Sequence, residues 1–214
     1  MQQFALHLRA HMQARLGEFA GALEAMSEYR RRMRELGRER EYVNTASCVW
    51  DVCLWSGDLQ HGEAALRETY ELMERSGNKR YLARAAIDLG EAVVRQGRLD
   101  EAERLCEVGE ELSASDDVEN EALLSVLRAR VRAARGDLVC AEAHARRAVE
   151  LAAVTENLEQ AADAWLTLAE ILRAKGDAEE QAAAAEALRL YEQKGNIVGA
   201  SRRAFVDADA SFLA

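Results

Sequence analysis

The sequence predicts an all-α solenoid of about five helix-turn-helix repeats, and three observations predict it. The 214-residue chain contains no proline and is dominated by Ala, Glu, Leu and Arg, which lose little freedom in a helix. Gly17, Gly57, Gly97, Gly136 and Gly176 follow one another at 40, 40, 39 and 40 residues. Other positions keep the same phase. Ala10, Trp50, Gly90, Ala129 and Ala169 stand seven residues before these glycines, and Ala22, Gly62, Ala102 and Ala141 stand five after, with Gln181 the exception. Self-similarity at a period of roughly 20–50 residues marks units that bury their apolar faces only by stacking.

Each repeat reads as two helices. The glycine ends the first, because the left-handed C-cap conformation costs glycine least. Asp58, Asp137 and Asp177 follow it in three repeats and are placed to cap the second helix. A second break comes about twenty residues later, at Gly37, Gly77, Asp116-Asp117, Glu156-Asn157 and Gly195-Asn196. Within helices the apolar spacing is helical, as in Trp165, Leu168, Leu172 and in Leu105, Val108, Leu112. The repeats fall at about 4–41, 42–80, 81–119, 120–159 and 160–198, in a single domain spanning 1–214.

Residues 199–212 read as one more helix, with Ala204, Phe205, Ala208 and Phe212 as an apolar stripe that caps the array. The first repeat has no such cap, since Phe4, Leu6, Leu8 and Met12 come at once. The expectation is that the chain is a piece of a longer protein, or that its first repeat pairs with a second copy as a homodimer. Trp50 and Gly62 are expected to exchange size, the indole lying over the missing side chain.

The formal charge of −10 argues against a general nucleic-acid or anionic-membrane binder. Arg30-Arg31-Arg32 with Arg34 is expected on a solvated face. Cys48, Cys53, Cys106 and Cys140 match no metal or redox spacing and are expected as small buried hydrophobes. No apolar run has the length of a membrane span, and the reading is a reduced, cytoplasmic protein. Phosphate-binding loops, nucleophile elbows and HExxH are absent, so no catalytic residue, cofactor or metal is expected. His7 and His11 share a helical face but lack a third ligand, and are expected as exposed groove residues.

The residues Leu89-Gly90, Gly97, Ala102, Leu168-Ala169 and Gly176 resemble tetratricopeptide repeats in their longer, roughly 40-residue form, over residues 4–198. Arg9 and Arg128 depart from the pattern, with Leu8 and Leu127 one residue early, so those helices are expected to be rotated. The resemblance implies a right-handed superhelix whose first helices line a concave groove for another protein or a peptide segment. The groove positions lie thirteen, six and two residues before each glycine. They read Phe4, Asn44, Arg84, Leu123, Asp163, then His11, Asp51, Glu91, Arg130, Glu170, then Arg15, Trp55, Arg95, Ala134, Ala174. Of these, Asn44, Asp51, Trp55, Arg84, Glu91, Arg95, Arg130 and Glu170 are the expected binding residues. The carboxylate clamp known in this family is not expected, because no lysine stands at the matching positions.

The ending ALRLYEQKGNIVGASRR resembles repeats attached to bacterial regulators, which implies a peptide-binding scaffold in a regulatory or signalling protein. A peptide-pheromone-type sensor and a structural or oligomerisation solenoid are the alternatives.

Overall fold

The computed structural model describes residues 2–114 and 116–200, with side chains from residue 5 onward. These residues form ten α-helices and no strand. In order they are α1 (Gln2–Arg15), α2 (Phe19–Glu35), α3 (Glu39–Ser56), α4 (Leu59–Ser76), α5 (Lys79–Val94), α6 (Leu99–Leu112), α7 (Val118–Ala134), α8 (Leu138–Ala153), α9 (Leu158–Lys175) and α10 (Glu180–Lys194). Sequence neighbours pack as antiparallel pairs, and α3, α5, α7 and α9 also stack in succession. The result is a helical solenoid of five pairs. A further turn begins at residues 197–200, where Asn196 Oδ1 accepts the Gly199 N–H at 2.9 Å. Beyond residue 200 the expected capping helix lies outside the described residues.

Local chemistry sets the helix ends. Gly17, Gly57, Gly97, Gly136 and Gly176 all have φ between +70° and +83°, the left-handed region that only glycine enters cheaply. Asp58 and Asp137 cap their helices by accepting from His61 N and Cys140 N at 3.2 and 3.1 Å. Asp177 does not cap α10 in this way. It accepts from Glu179 N at 2.9 Å and holds a tight turn, so the helix starts at Glu180.

Small residues bring the paired helices together. Ala22, Ala102 and Ala141 are completely buried. Gly62 does what its column predicts: a Cβ there would stand 2.7 Å from Trp50 Cε3 and 2.8 Å from Cys53 Cβ. The indole therefore occupies the volume that three other repeats give to alanine. In α7, Leu127 is buried and its Cδ2 sits 2.5 Å from where a Gly90 Cβ would be, while Arg128 turns outward to an ion pair with Glu110. The one-residue shift of the leucine is thus matched by a glycine on the neighbouring pair.

Three expectations need correction. Arg30 is buried, not solvated. Its Nη2 donates to Tyr42 Oη (2.8 Å), Thr69 Oγ1 (2.8 Å) and the Ala65 carbonyl (3.0 Å), and the guanidinium lies 4.0 Å over the Tyr42 ring. It ties α2, α3 and α4 together and also pairs with Glu68 at 3.1 Å, while Arg31, Arg32 and Arg34 lie further out and carry ion pairs of their own. Cys53 and Cys106 are buried as expected, but Cys48 is half-buried and Cys140, in the first turn of α8, is exposed. The histidines are not exposed either. His7 lies between His11 and Tyr29, with ring centroids 4.4 and 4.7 Å away, and both histidines are half-buried.

Candidate functional site

The first helices of the pairs form one wall, because their outward-facing turns repeat at the same register. Two adjoining cavities open along it, of about 200 and 280 Å³. All five first helices contribute: His11 and Arg15 from α1, Asp51 and Trp55 from α3, Arg84 and Glu91 from α5, Leu123 and Arg130 from α7, and Asp163 from α9. Seven of the eight expected binding residues line one or both cavities. Glu170 does not; it is half-buried and acts on the wall through its field at Arg130. The Phe4 side chain is outside the described residues, and Ala134 and Ala174 line neither cavity.

The charges of this wall engage one another rather than standing open. Arg84 Nε lies 2.9 Å from both oxygens of Asp88, one turn along the same helix. Arg95 Nε meets Glu91 Oε1 at 2.6 Å, and Arg130, 5% exposed, reaches the same carboxylate from α7 while donating to Thr167 Oγ1 at 2.8 Å. Burial pushes the Glu91 carboxyl up, yet the two guanidiniums outweigh it and hold the group at about 2. Arg130 is a bridge between pairs: α5 on one side, α9 on the other.

The wall bends until its ends meet. Arg15 of α1 forms a two-bond ion pair with Glu159 at the start of α9, Nε to Oε1 at 3.2 Å and Nη2 to Oε2 at 3.0 Å. Asn196 Nδ2 donates to the same Glu159 at 3.3 Å, and a Cβ on Gly17 would lie 3.9 Å from Val198. Residues 144 apart in sequence thereby close the groove across its mouth.

Trp55 is half-buried against the apolar cluster of the first two pairs that includes Met26 and Val52, and it also lines the groove. Asn44 is exposed at the rim of the second cavity. His11 Nε2 lies 3.3 Å from Cys48 Sγ. Burial, with His7, Arg15 and Lys194 nearby, lowers the His11 imidazole to about 4. Among the described residues no group of three or more His, Cys, Asp or Glu is gathered as a metal site.

Sequence reasoning missed Asp88, Glu119, Glu159, Gln160, Tyr191 and Asn196 on the cavity walls. Glu119 and Glu159 occupy the same register, seventeen residues before Gly136 and Gly176. A fourth column, one turn before the first, would have found them. Tyr191 and Asn196 come from α10 and the turn after it, and no column of first helices contains them.

No family model matches the chain, and no curated protein matches it. Solved structures do. A structure described as kinesin light chain nearly identical TPR-like repeats from Podosopora anserina aligns over 90% of this chain and 96% of its own, at 16% identity and TM-score 0.55. BtubC (BKLC) from P. vanneervenii aligns over 88% of this chain and 79% of its own, at 15% identity and TM-score 0.58. At such identities the likeness shows the fold alone: a tetratricopeptide-like helical repeat solenoid. No helix among the described residues is long and apolar enough to cross a membrane.

Proposed function

We propose that the chain is a protein- or peptide-binding scaffold module, the repeat part of a bacterial regulatory or signalling protein, and that it acts by binding rather than by catalysis. One observation supports the binding part of this reading: a single wall gathers side chains from all five first helices around two adjoining cavities. An extended segment laid along it would meet an aromatic face at Trp55, an amide at Asn44 and charged groups from several pairs at once. Multiple weak contacts along a preformed surface suit an elongated ligand better than a compact one.

The test is capture of partners from the native lysate by the wild type and by an Asp51→Lys, Trp55→Ala variant first shown to fold by circular dichroism. Arg95 is left intact, because reversing it would set two carboxylates against each other at Glu91. A partner held by the wild type and lost by the variant is the expected result. Identical captures would overturn the groove reading.

A structural or dimer-forming role has its own support. Leu8 and Met12, four residues apart on α1, and Leu16 in the turn that follows are 50–59% exposed. Light scattering of these two samples and of Met12→Lys distinguishes the readings: a dimer that persists in the groove variant and dissociates in Met12→Lys would favour pairing through the first repeat.

A further inference from the structure

We infer that the occupant of this groove is a basic segment, one that presents arginine or lysine side chains to the junction of the two cavities. The inference rests on the groove reading above and names the chemistry of its ligand.

The walls of the cavities carry six carboxylates: Asp51, Asp88, Glu91, Glu119, Glu159 and Asp163. They carry four arginines, and each of these already sits on a carboxylate of the same wall. Arg84 is on Asp88 and also reaches Glu119 at 3.7 Å, Arg95 and Arg130 are both on Glu91, and Arg15 is on Glu159. Six negative groups against four positive leave the wall with an acidic excess, and His11 adds no charge near neutral pH. The residues common to both cavities concentrate that excess. Asp51 from α3, Glu119 from α7 and Glu159 from α9 converge there around Trp55, from three different pairs, and Arg84 is the sole cation among the residues common to both cavities.

Two further features suit a ligand that brings N–H donors. Gln160 is 6% exposed and lines the first cavity, and its Oε1 has no hydrogen-bond partner. Its orientation is fixed, because Nε2 donates to the Glu119 carbonyl at 2.8 Å, so the unpaired atom is the acceptor. An unpaired buried acceptor is satisfied by an incoming N–H. The second feature is Arg15. Glu159 already takes a guanidinium by two parallel bonds at the groove's mouth, the geometry that a ligand arginine would offer. Trp55, which lines the groove, gives such a cation an aromatic surface.

The experiment uses three fluorescein-labelled dodecapeptides, in which glycine alternates with arginine, with glutamate or with serine. Binding to the full chain is followed by anisotropy at about 0.15 M salt, where remote surface charges are largely screened. The arginine peptide is expected to bind and the other two not. Asp51→Asn with Glu119→Gln should weaken it about tenfold or more, as two charge-assisted contacts are lost. The same charge change on the exposed residues of α6, Glu107→Gln with Glu111→Gln, should leave binding within about twofold, since it touches only the long-range field. Arg15→Ala should tighten binding, because it frees Glu159 from its internal cation. Equal weakening by the two double variants, or no tightening in Arg15→Ala, would overturn the inference. Binding of the glutamate or serine peptide that is lost in Trp55→Ala would keep the groove and discard its preference for bases. No binding of any peptide would count against both.

Discussion

Helices α1 and α5 occupy the same place in their repeats and live in different surroundings. Of the sixteen residues of α5, ten are buried, Asp88 among them, because α5 packs on α6 and also contacts α3 and α7. Among the described side chains of α1 only Ala10 and Ala14 are buried, while Leu8 and Met12, with Leu16 in the turn that follows, are more than half exposed or at that limit. Among the described residues one side of α1 has no neighbouring pair, and across the groove it is held by the Arg15–Glu159 pair. In an array whose units touch only their neighbours, an inner helix is stabilised from two sides and an end helix from one. The difference teaches that the polar wall does two jobs. In the middle it cements the stack; at the ends it closes the groove.

The sharpest way to break that contrast is to remove Arg130. Its guanidinium neutralises Glu91 in a buried part of the wall, and Arg130→Met leaves that carboxylate with Arg95 alone. Breaking a buried pair from one side costs about 3–5 kcal/mol, so the urea midpoint should fall steeply while the slope stays the same. The pH dependence gives the sign independently. Glu91 titrates at about 2 in the folded chain, below its ordinary value of 4.5. Its contribution is therefore fully present above pH 4.5 and is lost as pH falls toward 2. Linkage puts that contribution at about 3 kcal/mol, and Glu91→Gln should flatten the stability profile over this window. A mutant profile parallel to that of the wild type would show that Glu91 is not the linked group.

A smaller effect is expected in the second pair. Gly62→Ala drives a methyl group into Trp50 and Cys53 at under 3 Å, and overpacking of this kind costs about 1–3 kcal/mol. The Trp50→Leu, Gly62→Ala double variant should recover part of the loss, because the two residues share one volume. Additive losses in thermal melts would mean that the size exchange is not what holds α3 against α4.

Trp50 and Gly62 also show what was legible in the sequence. The exchange followed from reading two columns of the repeat together, and the period itself carried the fold. The charge pairing inside the wall was within reach by the same means. Glu91 and Arg130 are successive members of one column, separated by one repeat, and opposite signs in adjacent rows face each other when repeats stack. Arg30 was recoverable too, lying four residues after Met26 and three before Met33 on the buried stripe of α2. Its charge argued for solvent, whereas its position argued for the core, and the partners that settle the conflict stand on α3 and α4. The Arg15–Glu159 contact was not legible by any such route. It depends on the curvature accumulated over five pairs, which no local spacing encodes.

That contact gives the smallest expected change in global stability and the most specific local one. Arg15 and Glu159 are 24% and 33% exposed at the side chain, and a half-solvated pair of this kind contributes no more than about 1 kcal/mol. Arg15→Ala should therefore leave the urea midpoint almost unmoved. Hydrogen exchange should respond far more selectively. Local opening of an end unit requires only the few contacts that hold it. The amides of α1 should exchange several-fold faster in the variant, and those of α5 at the wild-type rate. Unchanged protection in α1 would mean that its packing on α2 suffices without the ion pair. Faster exchange in both helices would mean that closing the groove supports the whole stack. The contrast between end and middle would then be one of degree rather than of kind.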